Sequence, residues 1–417
     1  MEEERRPKPR VAEPQRNQVT IRFELPAESL PSSHPARVIW NVVSTFNLSQ
    51  FLTGVKAVEG RAGRDTLSPS MKLALWLYGI SVGVGSAREI ARRVLSDDAF
   101  RWLVGNLKVG HHTLSIFRVE HGEALEGLMT DILASLMHKG LLCLDVVAQD
   151  GIRIRADASA PSFRTYGSLL ECREQAALHL KGVLAEADDP EATQMEKARR
   201  EEAARDFHRR VEEAIETVEE LQKTRKPSDK PARASTTDAD ARIMKMADGG
   251  FRPAYNIQMT TAGSALGGPR TIVGVLVTNA GTDMNSLAPM LDEIERHTGQ
   301  LPEKLLADGG HASHKDIRDV TERGVEALIP VPTHSKKPGD KADMDPAIVA
   351  WRERMETEDA KRMYKARAGL CELMNAHMRT PHGLNHFLVR GLEKVKCVVL
   401  LTVIVSNLLQ HAAKLLS

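Results

Sequence analysis

The sequence predicts an α/β protein with a central mixed sheet, interrupted by a long helical insertion and preceded by an all-helical region. Three observations carry that expectation. From Pro35 to Leu142 apolar residues recur at helical spacing without strand alternation. From residue 143 onward short apolar runs alternate with helical stretches, the pattern of an α/β core. Between residues 162 and 222 a highly charged segment of helical period carries no strand signal, so it stands as an insertion.

The elements follow in order. MEEERRPKPRVAEPQRN is polar and contains Pro, lacks the apolar core of a secretory signal, and predicts a disordered tail over 1–21. A helical N-terminal domain follows over 22–142, with stretches such as SPSMKLALWLYGI and DDAFRWLVGNL, and with Ser68 and Ser96 placed as helix caps. Gly83 to Gly85 separates two helical segments, and the second, SAREIARRVL, brings Arg88, Arg92 and Arg93 near one another. That arrangement suits a helix-turn-helix reader of DNA, and a packed helical domain with a solvated basic face accounts for it equally.

At CLDVVAQDGIRIRAD, residues 143–157, the period changes to strand, Asp-Gly turn and second strand. The insertion, 162–235, reads as an antiparallel helical hairpin bent at Asp188, Asp189 and Pro190. Its second helix carries Ala204, Phe207, Val211, Ala214, Val218 and Leu221 at steps of three and four, a coiled-coil seam. A loop over 223–238 rich in Lys, Pro, Ser and Thr closes it. AYNIQMTT and TIVGVLVTN then predict a hairpin, followed by a helix over 285–297, a strand at 304–308, a helix over 315–323, a strand at 326–332 and helices to the C-terminus.

Composition bounds the functional classes. The 42% hydrophobic and 27% charged shares are those of an ordinary globular protein, and 57 Lys plus Arg against 56 Asp plus Glu rule out a polycation. Any contact with nucleic acid therefore has to come from local patches. Cys143, Cys172, Cys371 and Cys397 form no CxxC pair and have no His at metal-ligand spacing, which argues against zinc and against a disulfide framework and fits a reducing cytoplasm. The apolar run Cys397 to Val405 is about half the length a membrane-spanning helix requires.

Three acids stand where chemistry is expected. Asp150 follows the apolar run Cys143 to Ala148 and Asp308 ends the strand in LLADGGHAS, each directly before glycine. For Asp150 a plain hairpin turn is the competing reading, and for Asp308 a turn or helix cap. Glu372 lies in YKARAGLCELMNAHMR on one broad helical face with Tyr364, Arg367, Ala368, Asn375 and Arg379, a face that suits phosphate and metal or simply solvent. Carboxylates drawn from separate chain segments are what a pair of Mg²⁺ ions needs to cut a phosphodiester. His311 is close enough in sequence to support Asp308 or to be an ordinary surface histidine, and Asp157 is a rival ligand.

The stretches DGIRIRADASAPSFR, STTDADARIMKMADGGFRPAYNIQ, GVLVTNAGTDMNSLAPML, LLADGGHAS and YKARAGLCELMNAHMRTPHGLNHFLVRGLEKVK resemble, in order, bacterial insertion-sequence transposases of the IS5 and IS1182 groups. The segment including DDAFRWLVGNLKVGHHTLSIFR resembles their N-terminal domain. The resemblance implies an RNase H-like catalytic domain over 143–417, a D-D-E triad on Asp150, Asp308 and Glu372, and two Mg²⁺ or Mn²⁺ ions held by those three residues. Tyr364, Arg367, Asn375 and Arg379 would then contact DNA, as would Arg88, Arg92 and Arg93 of the N-terminal domain. It departs from the common pattern at Arg379, where Lys is frequent, and at His111-His112, where Asp-His is frequent.

The expected activity is that of a cytoplasmic, nucleoid-associated DDE transposase. It binds the terminal inverted repeats of its element, cleaves double-stranded DNA, transfers 3′-hydroxyl ends to target DNA and works as a homo-oligomer on DNA. An RNase H-like nuclease without strand transfer and a catalytically inactive DNA-binding or interaction protein are the alternatives. The acids Glu356, Glu358 and Glu393 compete with Glu372, and Glu393 has a simple account as a surface ion pair.

Overall fold

The computed structural model describes residues 25–53, 55, 60, 65–105, 107–185, 193–226, 230–263, 268–332 and 345–415. The expected tail and the Asp188-Asp189-Pro190 bend lie outside the described residues, as do parts of the 223–238 loop and of the turn after AYNIQMTT. The chain is a mixed α/β protein. Six helices come first: α1 (Pro35–Val43), α2 (Pro69–Ser81), α3 (Ala87–Ser96), α4 (Asp98–Val104), α5 (His111–Glu120) and α6 (Gly122–His138). Ser68 precedes α2 without making a side-chain cap bond, whereas Ser86 caps α3 by accepting from the Glu89 amide at 3.4 Å. Ser96 is no cap but the last residue of α3. The cap of α4 is Asp97, whose carboxylate reaches the Ala99 amide at 2.9 Å, because an acid accepts at a helix start more strongly than a hydroxyl.

The strands are β1 (Val146–Arg155), β2 (Phe163–Arg164), β3 (Ala234–Ser235), β4 (Arg242–Lys245), β5 (Phe251–Gly263), β6 (Arg270–Thr278), β7 (Lys304–Leu306) and β8 (Glu326–Leu328). The expected turn at Asp150-Gly151 is not formed. β1 runs unbroken through both residues because β5 pairs with it antiparallel from Val147 to Arg155, giving the backbone groups of the Asp-Gly step partners within the ladder. The sheet runs β4, β5, β1, β7, β8, with β6 on the β5 edge that β4 also uses, and β7 and β8 lie parallel to β1.

The insertion leaves β1 through β2 and returns through β3, whose short ladder pairs Phe163 with Ser235 and ties Ser162 Oγ to Ser235 Oγ at 2.7 Å. Between them stand α7 (Tyr166–Ala185) and α8 (Gln194–Thr224). Leu169 packs with Val211, Ala214, Ile215 and Val218 in a cluster separate from the main core, with Phe207 and Leu221 partly buried at its rim. Thr193 and Glu196 form a reciprocal capping box that starts α8.

After β6 come α9 (Leu287–Thr298), α10 (His314–Glu322), α11 (Pro346–Glu356), α12 (Glu358–Tyr364), α13 (Ala366–Arg379) and α14 (Leu392–Leu415). The apolar run Cys397 to Val405 lies in α14, which packs on β6 on one side and on α1, α2, α5 and α6 on others. A helix enclosed on all sides has to be apolar on all sides. No helix among the described residues is long and apolar enough to cross a membrane. Asn407 doubles as an edge strand: its side-chain amide donates to the Ile272 carbonyl and accepts from the Ile272 N–H, both at 2.8 Å. Through α14 the N-terminal helices and one face of the sheet share a single buried core.

Candidate active site

Side chains alternate across a strand. On β1, Ala148 and Asp150 therefore face α13, while Gln149, Gly151 and Arg153 face the opposite side of the sheet. In the parallel register Ala148 lies opposite Leu306, and the chain reaches Asp150 and Asp308 equally far beyond that pair. The fold thus puts the two aspartates side by side.

Asp150 Oδ1 accepts from the Gly151 amide at 3.0 Å and Oδ2 from Asn375 Nδ2 at 2.9 Å, and the Arg367 guanidinium stands 3.7 Å from Oδ2. Burial raises the Asp150 carboxyl above the usual carboxylate range, and the Arg367 charge pulls it back only in part. Asp308 caps a 3-10 turn at Gly309–His311, its Oδ1 accepting from the Gly310 amide at 2.9 Å and from His311 Nδ1 at 2.8 Å. The His311 hydrogen bond, more than any other group, holds this carboxyl below the usual range. Oδ2 of Asp308 makes no hydrogen bond among the described residues, and its side chain is 42% exposed.

Arg367 acts electrostatically on both carboxylates. Its guanidinium lies over the Tyr364 ring, 6.0 Å from the centroid, and its Nη1, the atom that faces Asp150, is buried without a hydrogen-bond partner among the described residues. A buried donor that has an ion pair with Asp150 but no hydrogen bond is a place for an anionic oxygen, and carboxylate oxygens with open lone pairs suit a hard cation. Asp150 and Asp308 fit a divalent ion on those grounds.

Glu372 is not drawn into this cluster. It is exposed on α13 with no hydrogen bond or ion pair among the described residues, and no group of three His, Cys, Asp or Glu side chains among them could hold a metal. The expected single helix from Tyr364 to Arg379 breaks at Lys365, so Tyr364 ends α12 while Arg367, Asn375 and Arg379 lie on α13. Arg379 turns inward and donates to the Arg153 carbonyl at 3.3 Å.

The other candidates are placed elsewhere. Asp157 is engaged by Arg390 at 2.9 Å. Glu393 is exposed in the first turn of α14 and forms no ion pair among the described residues, its neighbours Arg390 and Lys396 pairing with Asp157 and Glu126 instead. On α3, Arg92 and Arg93 both pair with Glu89, and Arg93 also stacks on Phe100, whereas Arg88 is exposed without an ion pair among the described residues. His311 is no surface histidine, being fully buried.

Sequence reasoning missed Gln149, Asn256, Gln258, Asp283 and Ser286, which form a buried polar group on the sheet face opposite Asp150. A signal was available. In AYNIQMTT the polar Asn256, Gln258 and Thr260 alternate with Tyr255, Ile257 and Met259, so one face of a central strand is polar although both are buried.

Residues 220–408 match the family described as Transposase DDE domain, and residues 26–120 match the one described as Transposase domain (DUF772). The first range includes Asp308 and Glu372 and begins after Asp150; the second holds Arg88, Arg92 and Arg93. No curated protein and no solved structure matches the chain. Both matches are to transposase domains, and the chain belongs to the DDE transposases.

Proposed function

We propose that this transposase binds the terminal inverted repeats of its own element, cleaves phosphodiester bonds there and joins the freed 3′-hydroxyls to target DNA. Asp150, Asp308 and Glu372 are its catalytic carboxylates, carried on an RNase H-like domain. The observation that supports this most is the pair Asp150 and Asp308 on neighbouring parallel strand lines under one guanidinium. Two divalent metal ions, Mg²⁺ or Mn²⁺, when bound there would activate water or a 3′-hydroxyl and neutralise charge on the phosphate.

The protein's own groups then have definite tasks. Asn375 and the Gly151 amide orient Asp150. The Gly310 amide and His311 orient Asp308 and leave its second oxygen open. Nη1 of Arg367, which faces Asp150 Oδ2 at 3.7 Å and makes no hydrogen bond among the described residues, donates to an oxygen of the scissile phosphate, a charge-assisted bond that a guanidinium makes well. Glu372, exposed on α13, would help hold the second metal ion when DNA and metal are bound, and Tyr364 and Arg379 would contact the DNA strand. Arg88, free of the Glu89 pairing that occupies Arg92 and Arg93, offers a phosphate contact from the N-terminal helices. Work on two element ends at once calls for a homo-oligomer on DNA, in the cytoplasm and at the nucleoid.

A strand-transfer assay tests this directly, with a labelled duplex of the element's end, a plasmid target and Mn²⁺. Joined product is the expected outcome. Cleavage without joining reassigns the chain as a nuclease, and binding without either reaction reassigns it as a DNA-binding protein.

A further inference from the structure

Behind Asp308 and His311 runs a chain of side chains that the reaction scheme above does not use. His311, fully buried, contacts Asp308 Oδ1 through Nδ1 at 2.8 Å and Gln258 Oε1 through Nε2 at 3.1 Å. Gln258, 1% exposed on β5, is itself fixed from behind. Its Nε2 lies 2.6 Å from Asp283 Oδ1, and because an ionised carboxylate only accepts, that end of the amide is the nitrogen. Oε1 is thereby turned toward the His311 ring, and it accepts from Gln149 Nε2 at 3.3 Å. Asp283 is steadied in turn by Asn256 Nδ2 at 2.7 Å.

The glycines beside the two aspartates fit the same arrangement. A Cβ at Gly151 would overlap the Gln258 amide and come within 2.9 Å of Asp283 Oδ1, and a Cβ at Gly310 would come within 2.9 Å of Asp308 Oδ1. Gly151 therefore clears the space through which the amide reaches Asp283. The network also carries a cost that packing alone does not explain, since Gln149 Oε1 is buried without a hydrogen-bond partner among the described residues, as is Oγ1 of Thr260 on β5. An apolar face would avoid those unsatisfied atoms.

We propose that Gln258, oriented by Asp283, is a positioning residue for Asp308: it fixes the His311 ring, which holds the Asp308 carboxylate with Oδ2 turned to the metal position. This rests on the assignment of Asp308 as a metal-holding residue. The amide acts at a distance, through the ring, and touches no reacting atom.

The experiment compares full-length wild type with Gln258→Leu, Asp283→Leu, Asp283→Asn and Asp308→Asn. It measures Mn²⁺ affinity by the electron paramagnetic resonance of free Mn²⁺, on protein shown to be folded by circular dichroism, together with the Mn²⁺ concentration giving half-maximal cleavage of end DNA. Both leucine variants are expected to weaken Mn²⁺ binding by about tenfold and to move the half-maximal concentration equally, with cleavage largely recovered at saturating Mn²⁺. Asp283→Asn keeps an acceptor for the Gln258 amide and is expected to stay near wild type. Should Gln258→Leu fail to fold, Asp283→Leu, at a side chain 24% exposed, carries the comparison. Wild-type Mn²⁺ affinity in a folded leucine variant would overturn the proposal and leave the network a structural one. Unchanged affinity in Asp308→Asn removes the premise instead, which is a different result.

Discussion

The sheet-borne and the helix-borne parts of the proposed triad are held in opposite ways. Asp150 and Asp308 each have at least one oxygen pinned by protein donors, and both feel Arg367, a charge anchored on a neighbouring helix. Glu372 lies on that same helix, α13, exposed and without a partner among the described residues. The difference teaches that the fold alone brings together two of the three proposed carboxylates and leaves the third exposed. Helix α13 itself is fastened to the sheet by Asn375 and Arg379.

The harshest way to break the comparison is to remove a carboxylate from the pinned half. Asp150→Asn and Asp308→Asn are each expected to lower Mn²⁺-dependent cleavage of end DNA on the order of a thousandfold or more while leaving end binding nearly intact, because an amide of the same shape lacks the charge that holds a divalent cation. Gel-shift and cleavage assays on the same preparations read both effects, and full cleavage by either variant ends the assignment of that residue.

The free half is tested by ranking. Glu372→Gln is expected to cost a loss of similar order, and Glu393→Gln less than about twofold, as fits an exposed group without an ion pair. Should the two variants rank the other way, the third carboxylate belongs on α14 and the contrast between the two halves has to be redrawn, although the aspartates would stand.

How much of this was legible in the sequence follows the same divide. The hairpin of β5 and β6, the helical N-terminal stretch and the seam Val211, Ala214, Val218 could be read because each is a local period that a sequence displays directly. Asp150-Gly151 misled, since that dipeptide is a strong hairpin signal and only the long pairing of β1 with β5, contributed from across the insertion, overrides it. β4 was too short to show a period. The enclosure of α14 by α1, α2, α5, α6 and β6 was invisible for the opposite reason, as a uniformly apolar run names no partner. Glu372 was picked out by its neighbours on a helical face, and the break at Lys365 shows that this face was drawn one turn too long.

The groups that pin Asp150 offer a finer test. Asn375→Ala and Arg367→Ala each remove one partner of its Oδ2 while leaving every carboxylate in place. A loss of about 10-fold to 100-fold in cleavage is expected for each, the range usual for groups that orient a metal ligand. Arg367→Lys should recover little, because a compact ammonium lacks the planar fork that lets separate guanidinium nitrogens face the carboxylate and a phosphate. Full activity in Arg367→Ala would mean that its Nη1 serves no substrate oxygen.

The smallest effect separates the two aspartates from each other. The Asp150 carboxyl is raised by burial, so the folded chain binds more protons than the unfolded one as pH rises from the ordinary Asp range to the raised value, and stability falls through that window. Asp308 is lowered, chiefly by His311, so its contribution is present above the ordinary range and is lost as pH falls through the depressed value. At pH 7 without metal, Asp150→Asn should therefore raise the melting temperature by about 1–2 °C and Asp308→Asn should lower it by less, since that carboxylate is 42% exposed and partly screened by water. Mg²⁺ should raise the wild-type melting temperature, since a ligand that prefers the folded state stabilises it, and should do so less in Asp150→Asn. Scanning calorimetry in chelator and in excess Mg²⁺ reads all of these. An Asp150→Asn variant that melts below wild type in chelator would show that Asn375 and Arg367 fully compensate the buried charge, and the contrast between a strained and a relaxed aspartate would be lost.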